Sequence, residues 1–92
     1  MSNGTDLITA ERERQIRAEG WTPEHDAEHT ENELAWAARC YVDQAIFTFT
    51  EPSPTGAWPW DESWWKPSPD PVRNLVKAGA LIAAEIDRLT TS

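Results

Sequence analysis

The chain has 92 residues, with 16 acidic against 8 basic side chains, and so a formal net charge of −8. That length fits one domain with one modest core, and the charge excludes a general binder of nucleic-acid polymers, which needs basic surface to displace phosphate counterions. A small nucleotide or a basic protein partner stays open. The single cysteine, Cys40, excludes an intrachain disulfide and points to a reducing cytoplasm. Residues 1–10 lack the basic and apolar regions of a signal peptide, and the longest apolar stretch, residues 78–84, is too short to span a membrane.

In chain order, residues 1–5 are polar and are expected to be disordered. Asp6 to Glu19 reads as a first, shorter helix, with Asp6 as N-cap and Gly20 as C-terminal stop. Its apolar content is thin (Leu7, Ile8, Ile16, Ala18), and Arg12 and Gln15 share a side with Ile8 and Ile16, which turns polar groups inward. Trp21-Thr22-Pro23 follows, with Thr22 capping a second helix and Pro23 at its first position. That helix is predicted over about Pro23 to Phe47, with a core stripe of Leu34, Ala37, Ala38, Tyr41 and Ala45, widened by Trp36, Cys40 and Phe47.

Residues 48–70 form a connection with prolines at 52, 54, 59, 67 and 69, and with four of the six tryptophans: Trp58, Trp60, Trp64 and Trp65. Regular structure is excluded from most of it. So much indole surface needs a packing partner: the loop either lids the core or forms the wall of a binding site. The last helix opens with Asp70 as N-cap and Pro71 at its first position. Val72, Leu75, Val76, Gly79, Ile82, Ala83, Ile86 and Leu89 recur at helical spacing as its predicted core stripe. Gly79 within that stripe predicts close approach of another helix, or of a second copy across a homodimer. The expected fold is therefore a small all-α domain over residues 1–92. Two long antiparallel helices, a shorter N-terminal helix and a Trp/Pro-rich loop make it up.

Two side-chain groups carry candidate chemistry. His25, His29 and Glu33 fall at i, i+4 and i+8, on one face of the predicted second helix with Asp26 beside them, a spacing able to share a divalent metal. A solvated, acidic first turn is the alternative. Lys66, Arg73 and Lys77 cluster around the start of the last helix and suit a phosphate, while Trp60, Trp64 and Trp65 could stack on a base. Ordinary surface ion pairs are the alternative there. No Gly-rich phosphate loop, serine triad signature, CxxC pair or HExxH motif is present.

The run Ile8-Thr9-Ala10-Glu11-Arg12-Glu13-Arg14-Gln15, then Glu19-Gly20-Trp21 to His25, then Glu33-Leu34-Ala35-Trp36-Ala37-Ala38, resembles a family of small phage and prophage proteins of unassigned function. Their WPW…WWKP loop and LVKAGALI closing helix also match, so the resemblance covers nearly the whole chain. More distantly the chain resembles MazG-like nucleotide pyrophosphohydrolases. That resemblance implies an all-α oligomer holding Mg²⁺ on an ExxE pair and an ExxD pair. Glu33 matches the second glutamate of the first pair, and the first falls on Thr30. The second pair falls near Lys77 and Ala80, which are not ligands. The resemblance thus implies a MazG-like scaffold without the usual metal site, and not ordinary catalysis. Two functions follow as expectations: a cytoplasmic, dimeric nucleotide- or phosphate-binding protein, or a phage protein that binds and modulates a host protein.

Overall fold

The computed structural model describes residues 3–26, 28–47 and 58–90. It is all-helical: α1 (Asn3–Glu19), a single turn α2 (Pro23–Asp26), α3 (Glu33–Ile46), a 3-10 turn (Glu62–Trp64) and α4 (Pro71–Thr90). The small all-α domain predicted from the sequence is the one observed. Three of its caps also form as read. Thr22 Oγ1 accepts from His25 N–H at 3.2 Å, and Asp70 Oδ1 accepts from Val72 N–H at 2.9 Å. Gly20 adopts φ 73°, the left-handed conformation that ends a helix without a Cβ penalty.

Two boundaries and one face differ from expectation. The first helix starts at Asn3, so Asp6 lies inside it and is not its N-cap. The helix predicted over 23–47 is two pieces. It breaks at Glu28–Asn32, and Asn32 sits at φ 63°, ψ 23° as the residue before α3, a conformation asparagine tolerates better than most side chains. Of the loop expected over 48–70, residues 48–57 lie outside the described residues.

The face that differs is on α4. Of its predicted core stripe, Val72, Leu75, Ile82, Ile86 and Leu89 are all exposed, and only Val76 is buried. The buried face of α4 is instead Asn74, Ala78, Leu81, Ala84 and Glu85, a quarter-turn or more around the helix. Leu34, Ala37, Ala38 and Tyr41 of α3 meet Ala78, Leu81 and Ala84 of α4 to form the core, against which Trp21, Val42, Trp58, Trp60 and Trp65 pack. Alanines on both sides let the two helices approach closely. The two helices run antiparallel, with Tyr41 near Lys77 and Glu33 near Arg88.

The close approach expected at Gly79 is made by α1 of the same chain. A Cβ at Gly79 would stand 2.6 Å from Ile8 Cδ1 and 2.8 Å from Ile8 Cγ1. The glycine face is therefore filled within the chain and not by a second copy. The helix-propensity cost of this glycine, about 1 kcal/mol against alanine, is offset by that contact.

Glu11 anchors α1 to α4. Its side chain is 1% exposed. Arg14 forks onto it, Nε to Oε1 at 2.8 Å and Nη2 to Oε2 at 2.9 Å. Gln15 Nε2 donates to Oε2 at 3.1 Å, and Arg73 from α4 donates to Oε1. Burial pushes this carboxyl up, and the Arg14 and Arg73 hydrogen bonds more than reverse it, so its pKa lies below the ordinary glutamate value. A depressed carboxyl stabilises the fold above the unfolded pKa, about 4.3. That stabilisation is lost as pH falls through the lower, folded value. Acid titration of Tm is expected to show this fall below about pH 4.3. Glu11→Gln should shrink the dependence, leaving the part due to Glu33 and Asp61, and destabilise the domain at neutral pH by roughly 2–4 kcal/mol, because two arginines lose their common partner. An unchanged acid limb in Glu11→Gln would refute the assignment.

Candidate functional site

The tryptophan segment is fastened to the helices at both ends of its described part. Trp58 Nε1 donates to Asp61 C=O at 3.1 Å, and Asp61 Oδ1 caps the 3-10 turn by accepting from Ser63 N–H at 2.9 Å. The Asp61 carboxyl is held below the ordinary value by the Ser63 amide and hydroxyl. Lys66 N–H donates to Tyr41 Oη at 3.2 Å. The buried Asn74 amide pairs with Ser68 in both directions, accepting from its N–H and donating to its C=O, each at 2.8 Å. Asn74 thus stands in for a strand neighbour and ties the loop to α4.

This fastening sorts the indoles into two sets. Trp58 and Trp65 turn onto Tyr41, with ring centroids 5.8 and 4.8 Å away, and onto each other at 4.9 Å. They close the open end of the alanine-lined core. Trp64 turns the other way and meets Trp21 at 6.2 Å, while Trp60 bridges the two sets, 5.5 Å from Trp58 and 5.7 Å from Trp21. Trp21 is itself held just past the end of α1: its N–H reaches Gln15 C=O at 3.1 Å, and Arg12 Nη1 donates to its C=O at 3.1 Å. His25 stacks parallel to Trp21 within 2°, and His29 touches both His25 (4.8 Å) and Trp60 (5.2 Å). The result is an open cleft of about 440 Å³ lined by Glu19, Trp21, His25, His29, Trp60, Asp61 and Trp64.

Three of the residues named from the sequence for metal stand close together but not as a chelate. They do not share a helix face, because α2 ends at Asp26 and His29 lies in the break before α3. Glu33 spends its oxygens on the turn: Oε1 accepts from Glu31 N–H at 2.5 Å and Oε2 faces His29 Nδ1 at 3.3 Å. Burial raises the Glu33 carboxyl, and the backbone amides and His29 outweigh it, leaving the pKa lowered. Among the described residues, no three His, Cys, Asp or Glu side chains are grouped so as to hold a metal ion. The Mg²⁺ site of MazG-like enzymes therefore finds no matching donor set, and no catalytic step is derived through a metal.

The cations named for phosphate stay near one another, with Lys66 and Lys77 lining one pocket, but two of the three are already paired. Arg73 is engaged on Glu11. Lys77 donates from Nζ to Lys66 C=O at 2.5 Å, over the Tyr41 ring at 5.6 Å, and burial pushes its ammonium pKa down. Lys66 is exposed, with Nζ 5.4 Å from the centre of the Trp64 ring. Of the indoles expected to stack on a base, Trp60 and Trp64 line the cleft and Trp65 belongs to the core lid.

Sequence reading missed Glu19, Trp21 and Asp61 as cleft residues. An indole placed directly after the Gly20 helix stop was the available signal. Among the described residues, His29 Nε2, Trp60 Nε1 and Gln15 Oε1 are buried without a hydrogen-bond partner. Among protein-family models, curated proteins and solved structures, none matches this chain.

The two sets of indoles should separate on mutation. Trp65→Ala is expected to cost roughly 2–4 kcal/mol in denaturant unfolding, as loss of a core lid. Trp64→Ala, at a site 43% exposed, should cost about 1 kcal/mol or less. Equal losses would show that all four indoles act as one lid.

Proposed function

We propose that this chain is a small, non-catalytic interaction protein that engages a partner protein through the Trp/His cleft. One observation carries the reading: three indoles and two imidazoles converge on an open cleft bordered by Glu19 and Asp61, with no Arg or Lys among its described lining residues. Large aromatic side chains in a concave site are the usual anchors of recognition. The likeness in sequence to small phage and prophage proteins supports a host protein as the partner and the host cytoplasm as the place. Among the described residues no helix is long and apolar enough to cross a membrane. A nucleotide ligand is the second reading, favoured by Trp60 and Trp64 in the cleft and by Lys66 beside Trp64.

The two readings make opposite predictions. A specific host protein should co-purify with the chain in stoichiometric amount and be lost in Trp64→Ala while that variant stays folded, with Tm lowered by no more than about 4–8 °C, and nucleotides with Mg²⁺ or Mn²⁺ should leave Tm flat. A bound protein retained by Trp64→Ala would remove the cleft from the reading. A rise in Tm with nucleotide would replace the first reading by the second.

The expected homodimer has its natural seat on the exposed stripe of α4. Val72, Leu75, Ile82, Ile86 and Leu89 run along about 26 Å of helix. The stripe begins and ends so that an antiparallel copy sets Val72 against Leu89 and Leu75 against Ile86, while Gly79 stays covered by Ile8 of its own chain. It carries no charge, so it is a face on which two strongly acidic chains can meet. Five half-exposed aliphatic side chains fall short of the ~800 Å² per partner of a stable interface. A weak dimer follows. Sedimentation should show concentration-dependent self-association that Ile82→Glu abolishes without lowering Tm; a monomer at all concentrations would refute it.

A further inference from the structure

We infer that the cleft seats an organic cation, the guanidinium of an arginine presented by a basic segment of the partner protein. The inference rests on the cleft being the binding site and specifies what enters it.

The lining sets the sign of the charge. Asp61 is exposed, and the Ser63 contacts favour its ionised form. Glu19 shares Arg14 with Glu11, its Oε1 lying 3.3 Å from Arg14 Nη1. An incoming phosphate would face these carboxylates, while Arg73 and Lys77, two of the cations expected to receive it, are committed to Glu11 and to the Lys66 carbonyl. An incoming cation meets the opposite situation: carboxylates at the rim and the electron-rich faces of Trp21, Trp60 and Trp64.

The ring spacing selects the shape of the occupant. Neighbouring rings around the cleft lie 4.8–6.4 Å apart between centroids, the range of direct aromatic contact. A base sandwiched between two rings needs them about 7 Å apart, twice the van der Waals separation of about 3.5 Å. No base fits between rings already in contact, whereas a small planar head can lie on an outer indole face with its edge toward a carboxylate. A guanidinium does both, stacking on the ring and donating in a fork to an acid. The chain shows the first of these contacts on its own surface. The Lys66 ammonium stands 5.4 Å over Trp64, and the Arg39 guanidinium 5.4 Å over Trp36. A net charge of −8 adds long-range attraction for a basic segment.

The test is a titration of the full chain, followed by the indole N–H resonances, with a short glycine–arginine peptide, with its citrulline counterpart of equal shape and no charge, and with a nucleoside monophosphate and triphosphate. The arginine peptide is expected to shift Trp21, Trp60 and Trp64, with the citrulline peptide at least about tenfold weaker. Added salt should weaken the complex. Asp61→Asn, which keeps the cap on Ser63 but removes the charge, should weaken arginine binding roughly 3–10-fold at unchanged Tm. If citrulline binds as well as arginine, or the nucleotides bind in place of the peptides, the cation inference falls and the cleft remains a binding site. If none of the four probes shifts these indoles, the cleft reading falls with it.

Discussion

The constraint from which the structure follows is the alanine seam between α3 and α4. Ala37 and Ala38 on one side, and Ala78 and Ala84 on the other, bring the two helices close but bury little apolar area per residue. Leu34 and Leu81 are the only large aliphatic side chains in the buried cluster. A domain of this size needs more, and the aromatic residues supply it. Tyr41 is the hinge of the solution: it packs in the seam, carries Trp58 and Trp65 on its ring, and accepts the Lys66 amide with its hydroxyl.

Charge is arranged by a second, linked necessity. α1 has too few apolar residues to hold itself on α4 by burial alone, so it uses Ile8 against Gly79 and a buried carboxylate at Glu11. A carboxylate that deep requires paired donors, and it takes Arg14 and Arg73. The cost falls on anion binding, because Arg73 leaves the group that could have received a phosphate.

Local punctuation was legible from the residues: Thr22-Pro23, Asp70-Pro71 and Gly20 each act through their own backbone chemistry, and each is found as read. The concentration of indoles in residues 58–65 marked the site. The inward face of α4 was not legible, because periodicity identifies stripes but not which stripe a neighbour needs. The large residues at 75, 82 and 86 gave the stronger apolar signal, whereas the neighbouring helix required the small ones at 78 and 84. The break before α3 was hidden for a similar reason. His29 on Trp60 and Glu33 on the Glu31 amide hold it in place, and these are tertiary or side-chain contacts that helix propensity does not register.

Lid and wall are then two roles of one segment. A loop that spent all its indoles on the core would leave Trp21 bare, and one that spent them all on a cleft would leave Tyr41 and the alanine seam open to water. The 3-10 turn at Glu62–Trp64 prevents either outcome, since it places the adjacent Trp64 and Trp65 on opposite sides of the backbone. Its cap is Asp61, the same carboxylate that borders the cleft. The residue that fixes the geometry of the lid therefore also fixes the electrostatic sign of the wall. Substitutions at position 61 that keep the cap and alter the charge are the cleanest way to change recognition while leaving the fold intact.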